Sequence, residues 1–293
     1  MFEELKQKFD SLLWGRRLRD LNRPQAFLLR ALRILYATAR DFSGGLPSLR
    51  AMGLVYTTLL SIVPLLAVSF SVLKGFGAHN QLEPTLISLL EPLGEKGVQV
   101  SHQIIEFVDN MKVGVLGGIG MAFLIFTVLS LVKKIESAFN FTWRISTTRN
   151  LFQRFSNYLS VILVGPLFLF TATGLNASFN SSTVVNKIAA IEPFGTLIIF
   201  LGEVTPYILT IITFTLIYAL IPNTKVRLRS ALYGAIAATI MWKVTSIIFT
   251  SFIVNSTNYT AIYSGFAILI IFMLWVYASW LIVLTGASVS YYH

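Results

Sequence analysis

Six long apolar runs, set between segments that alternate in basicity, constrain this chain more than any other feature. The runs cover residues 51–73, 113–132, 158–179, 196–221, 231–254 and 261–289. A helix rises ~1.5 Å per residue, so about 20 apolar residues cross a hydrocarbon core of ~30 Å. Each run is long enough to do so. Lysine and arginine number ten before the first run, then three, five, one, three, none and none in the successive segments. Alternate segments therefore hold eighteen basic residues against four, and Lys243 alone falls inside a run. By the positive-inside rule the eighteen mark the cytoplasmic side. The expected fold is all-α: a polytopic membrane protein with six transmembrane helices and both termini cytoplasmic. Residues 1–50 form a cytoplasmic amphipathic segment, and residues 51–293 the six-span domain, with an external helical loop at 74–112.

Composition agrees with this class. Only 12% of residues are charged and 55% are hydrophobic, whereas a soluble domain carries about a quarter charged residues. The net charge of +10 would by itself suggest a nucleic-acid partner. It divides instead into +12 on the cytoplasmic segments and −2 on the external ones, which topology and attraction to anionic headgroups explain. No basic run is interleaved with aromatics as in an RNA-binding surface, so nucleic acid is not an expected partner.

Enzyme chemistry has little to stand on here. The absence of cysteine removes disulfides, thiol nucleophiles and thiolate metal sites. His79, His102 and His293 are scattered, so no paired-histidine metal motif exists. Neither a phosphate-binding Gly-rich loop ending in Lys-Ser/Thr nor a Gly-x-Ser-x-Gly elbow is present. No catalytic residue, metal or cofactor is expected, and no cleavable signal peptide precedes the first run.

Within residues 1–50, residues 2–21 have the spacing of one amphipathic helix. A second begins at Pro24, suited to a first helical turn, and runs to about Arg40. It places Phe27, Leu28, Ala31, Leu32, Leu35 and Tyr36 on one side. Such a helix lies either at the headgroup boundary or against the inner ends of the bundle. Residues 41–47 read as a turn. In the first external loop, residues 82–90 and 98–108 have helical spacing but are too short or too polar to cross, and Pro92 and Gly94 separate them. Pro64 and Pro206 hold matching mid-run positions, which is slight support for two three-span halves.

Two ionisable residues, Glu203 and Lys243, sit within spans. A charge there costs at least ~2.5–3.5 kcal/mol on insertion scales, so each needs a partner, water or a function. Thr239, Lys243, Ser246 and Thr250 follow one another at i, i+4, i+7 and i+11, on one helical face. On the preceding span Glu203, Thr210 and Thr213 make a looser stripe beside Pro206 and Tyr207. Polar stripes of this kind are expected to face the bundle interior. Glu203 and Lys243 lie roughly 10 and 16 Å below the outer ends of their spans at ~1.5 Å per residue, a difference that a lysine stem bridges. Two readings stand: an ion pair that fixes packing, or a polar cavity used by a substrate or ion.

Several blocks, in order along the chain, resemble the YihY/BrkB family of bacterial inner-membrane proteins. The first holds Tyr56, Ser61 and Pro64, within Leu54-Val-Tyr-Thr-Thr-Leu-Leu-Ser-Ile-Val-Pro-Leu. The second holds Asn140, Trp143 and Arg144, as Ala-Phe-Asn-Phe-Thr-Trp-Arg. Pro222 belongs to Tyr-Ala-Leu-Ile-Pro-Asn-Thr-Lys-Val-Arg, Tyr263 to Tyr-Thr-Ala-Ile-Tyr-Ser-Gly, and Gly286 to Leu-Thr-Gly-Ala. The chain departs from the family at Ser288, where relatives commonly carry Glu, and ends without the charged tail of many relatives. The resemblance implies a six-span inner-membrane fold. A ribonuclease label once attached to the family finds no catalytic cluster here. The connection of family members with envelope lipid export implies transport of a lipid or other amphiphile, with a non-transporting envelope scaffold as the alternative. Expected partners are membrane lipids, with a periplasmic envelope protein and a second copy of the chain as further candidates.

Overall fold

The computed structural model describes residues 14–15, 21–75, 82–110, 117–146, 194–255 and 264–293. All regular structure among these residues is helical. In chain order the helices are α1 (Arg23–Ser43), α2 (Leu46–Gly75), α3 (Leu82–Leu89), α4 (Glu95–Asn110), α5 (Gly117–Thr142), α6 (Phe194–Leu220), α7 (Leu228–Asn255) and α8 (Ser264–Tyr292). A single 3₁₀ turn, Glu91–Leu93, joins α3 to α4. The third apolar run, at 158–179, and most of the first amphipathic stretch, at 2–21, lie outside the described residues.

The remaining runs become helices close to their expected limits, with two informative differences. Helix α5 continues ten residues beyond its apolar run, because its polar extension still has a core face: Glu136, Ala138, Phe139 and Asn140 are all buried. The turn expected over 41–47 contracts to Gly44-Gly45, since α1 runs on to Ser43 and α2 begins at Leu46. Gly45 has φ of 72°, a left-handed conformation that glycine adopts freely.

Helices α6, α7 and α8 form the centre. Small residues allow the approach: Ala231, Ala235, Ala238 and Ala287 are wholly enclosed, as expected where membrane helices associate by close backbone contact. A Cβ on Gly234 would collide with the carbonyl oxygen of Gly286, and one on Gly286 with the Tyr218 hydroxyl. The Tyr218 hydroxyl donates to the Val283 carbonyl at 3.1 Å, so α6 is tied to α8 across this contact. Helix α2 joins through Trp280, whose Nε1–H donates to Thr58 Oγ1 at 3.0 Å.

Outward-facing positions of the same helices are apolar: Ile212, Leu216, Ile240, Ile247, Ile248 and Ile270 are exposed. An apolar surface this extensive calls for an apolar surrounding. Among the described residues, 228–252 of α7 and 269–292 of α8 are long and apolar enough to cross a membrane, and residues 46–62 and 204–220 are shorter apolar helices.

Helix α1 packs against the bundle through its last turns. Ala37 and Thr38 are buried, and the Tyr292 hydroxyl donates to Asp41 Oδ2 at 2.6 Å, fastening α1 to the end of α8. Phe27, Leu28, Leu32 and Leu35 remain exposed.

Candidate functional site

The polar stripe on α7 lines a groove. Thr239, Lys243, Ser246 and Thr250 share it with Tyr207, Thr210 and Thr213 of α6, and it has a volume of about 840 Å³. Seven of the eight sequence-derived groove residues therefore meet in one place. The side chain of the eighth, Glu203, lies outside the described residues. The groove's apolar floor is Phe214, Trp242 and Trp280. It is held by ring packing, with Phe214 against Trp242 at 6.1 Å and Trp242 edge-on to Trp275 at 5.4 Å.

The groove threonines of α6 and Thr239 of α7 bond locally. Thr210 donates to the Pro206 carbonyl at 2.8 Å, Thr213 to Leu209 at 2.8 Å and Thr239 to Ala235 at 2.9 Å. Each bond stays within its own helix, four residues back. Stitching α6 to α7 would require bonds across the seam; instead the protons are used locally and the oxygen lone pairs are left toward the groove. Pro206 itself cannot donate a backbone hydrogen bond, so its turn of α6 leaves an additional acceptor carbonyl.

Lys243 supplies the cation. It is exposed, and its Nζ lies 5.5 Å from the centroid of the Tyr207 ring, within the range of an electrostatic contact with the ring face. Among the described residues no carboxylate is within ion-pair distance of it. A carboxylate does line the same groove: Glu91, on the turn between α3 and α4. That turn is placed by Thr250, which donates to the Pro92 carbonyl at 3.3 Å. It is anchored below by Leu90 and Leu93, buried against Phe249, Phe272 and Trp275. By sequence Glu91 is one acid of the exposed external loop, and it reaches the groove only through a contact between segments some 150 positions apart.

The motif positions gather elsewhere, at the end of the bundle where α5, α6 and α8 terminate and α7 begins. Asn140 Oδ1 accepts the backbone N–H of Asn223 at 2.8 Å, and its Nδ2 donates to Glu136 Oε1 at 3.4 Å. Arg144 has φ of 54°. The Ile145 N–H reaches the Asn140 carbonyl and the Arg144 N–H the Phe141 carbonyl, which is a Schellman closure with arginine at the left-handed position. Trp143 stacks on Phe139 at 6.1 Å, and the Arg144 guanidinium lies 5.8 Å from the Tyr291 ring centroid. Pro222 is buried in the α6–α7 loop. On α2, Ser61 is buried and donates to the Thr127 carbonyl at 3.5 Å, and Pro64 is buried further along the helix. Tyr56 is exposed, its ring centroid 5.9 Å from Lys134 Nζ. Tyr263 lies outside the described residues. These positions organise packing and helix ends; the groove lies toward the opposite end of α6 and α7.

The family model described as virulence factor BrkB matches residues 39–293. The chain belongs to the BrkB family. Among its relatives in that family, a UPF0761 membrane protein of Nitrosospira multiformis is 34% identical, over 92% of this chain and 63% of the relative. One of Halorhodospira halophila is 33% identical over 81% of this chain and 52% of the relative. One of Haemophilus influenzae is 31% identical over 82% of this chain and 87% of the relative. The chain thus spans between half and two thirds of the length of the first two. No solved structure matches it. With the apolar helices described above, family membership makes this BrkB-family chain a bacterial inner-membrane protein.

Proposed function

We propose that this BrkB-family protein moves a lipid or comparable amphiphile across the inner membrane, with the headgroup passing through the groove between α6 and α7. The carrying observation is the combination at Lys243: a cation inside an apolar helix, beside hydroxyls whose bonds do not cross the seam, facing a space of about 840 Å³. A volume of that order falls in the range of small-molecule sites. A pair of polar stripes serving only to fix helix packing would be expected to bond across it.

In this reading the chain crosses six times with both termini cytoplasmic, residues 1–50 lie along the inner surface, and residues 74–112 cover the outer face. The groove then opens toward the outer leaflet. Lys243 attracts an anionic headgroup, the acceptor oxygens hold its hydrogen-bond donors, and the aromatic floor carries its apolar neck. No phosphate-binding loop for nucleotide hydrolysis is present in the sequence, so downhill movement or hand-over to a periplasmic partner fits better than primary pumping. A scaffold that moves nothing is the competing account.

Reconstitution separates the two. Vesicles containing the protein, loaded with acyl-chain-labelled phospholipids, should exchange label between leaflets faster than empty vesicles. Equal rates for every headgroup tried would favour the scaffold.

A further inference from the structure

The groove continues past Lys243 to an acidic entrance. Ser88 and Glu91 line both the Lys243 groove and a second, outer depression of about 700 Å³. The outer depression also carries Glu83, whose Oε1 lies 3.0 Å from His102 Nδ1, together with Ile87, Gly94 and Val98. Glu91 is therefore the acid shared by the two spaces.

Its position relative to Lys243 is set by the fold. Thr250 holds the Pro92 carbonyl at 3.3 Å, and Thr250 stands seven residues, or about 10 Å along the helix, beyond Lys243. The turn has little freedom to drift: Leu93 is fully enclosed, and α4 packs so closely on it that a Cβ on Gly97 would collide with the Leu90 carbonyl. An acid on a held turn at the mouth and a cation whose backbone lies about two helical turns deeper thus line one groove. Thr210, Thr213 and Thr239 line the same groove, their protons already committed to their own helices.

That order of charges matches a ligand with an anion at one end and a hydrogen-bond-donating cation at the other. Resting on the amphiphile reading above, we propose that the groove takes a zwitterionic aminophospholipid headgroup of the phosphoethanolamine type, its phosphate on Lys243 and its ammonium on Glu91. A phosphate alone would satisfy Lys243 and be repelled at the entrance. A headgroup with a primary ammonium satisfies both charges, and its N–H donors suit a groove lined with hydroxyl acceptors.

Binding tests this independently of movement. The full chain, purified in detergent, is titrated with equal amounts of phosphatidylethanolamine and phosphatidylglycerol, and bound lipid is counted by native mass spectrometry. Wild type should prefer phosphatidylethanolamine by about threefold or more, the scale of one partly exposed charge pair. Glu91→Gln should bring that ratio near one while the melting temperature stays at the wild-type value. Lys243→Ala should weaken both lipids. Equal or greater occupancy by phosphatidylglycerol in wild type overturns the assignment, as does an unchanged ratio in Glu91→Gln. A lipid preference retained by a protein that moves no lipid in vesicles refutes the transport reading and upholds the headgroup. Transport without preference does the reverse.

Discussion

The ammonium of Lys243 lies 5.5 Å from the ring centroid of Tyr207, so the one lysine inside an apolar run faces an aromatic of the neighbouring helix across the groove. The ring steadies a charge for which no carboxylate is in reach among the described residues, and leaves its N–H donors available to a ligand. This contact joins the fold to the proposed activity, because it depends on α6 and α7 meeting in the register that Gly234, Gly286 and the buried alanines set.

Tyr207 should therefore be replaceable by phenylalanine but not by an aliphatic residue. Cation–π contacts at exposed sites are worth ~0.5–1 kcal/mol. Tyr207→Leu should slow lipid movement by about two- to fivefold, on that same scale. Tyr207→Phe should retain the wild-type rate in the same vesicle assay.

Glycine positions give a stability test with an internal control. A Cβ on Gly286 meets Tyr218 and Ala238, whereas one on Gly53 finds nothing within 4 Å. Gly286→Ala should destabilise by about 1–3 kcal/mol through overpacking. Gly53→Ala, at an exposed position of α2, should stabilise by up to about 1 kcal/mol from helix propensity. Melting temperatures in one detergent should thus move in opposite directions.

Asn140 is predicted to be structural. Its Oδ1 accepts the Asn223 N–H, and Asn140→Leu deprives that donor of this acceptor at a buried helix junction, a loss of about 1–3 kcal/mol. Asn140→Asp keeps the acceptor but sets a second carboxyl against buried Glu136 in place of the Nδ2 donor, so it should recover little of this at neutral pH. Thermal unfolding of both variants, compared with wild type, checks the order.

The tether between Tyr292 and Asp41 should govern the docking of α1. Tyr292→Phe removes the hydroxyl and leaves the ring, so amide exchange across residues 23–43 should quicken while α6 to α8 keep their protection. Unchanged exchange in α1 would assign its docking to Ala37 and Thr38 alone.

What the sequence made legible, and what it did not, divides by distance along the chain. Apolar runs and helical spacing are local properties, so α6, α7 and α8 begin and end within a few residues of expectation, and Thr239, Lys243, Ser246 and Thr250 line one face as their spacing requires. Partners across space are not local. Glu203 stood out as an acid for Lys243 because it occupies the adjacent span, and its side chain lies outside the described residues; an acid that the fold does bring to the groove is Glu91, carried there by a turn that packs beneath Phe249 and Trp275. The motif around Asn140 was legible only as a resemblance. Its physical role, a left-handed helix end at Arg144 tied to the α6–α7 loop, depends on backbone geometry that spacing does not encode.

The most direct test of the account is the rate of lipid movement with Lys243 altered. Vesicles of matched protein density should carry wild type, Lys243→Arg and Lys243→Ala, each read with an acyl-chain-labelled phosphatidylethanolamine. Hydrogen bonds to a charged group are worth ~1.5–3 kcal/mol, so Lys243→Ala should lose about tenfold or more of the wild-type rate. Lys243→Arg, which keeps the charge, should retain most of it. A Lys243→Ala protein that is correctly folded and moves lipid as fast as wild type would contradict the claim that headgroups pass over this residue.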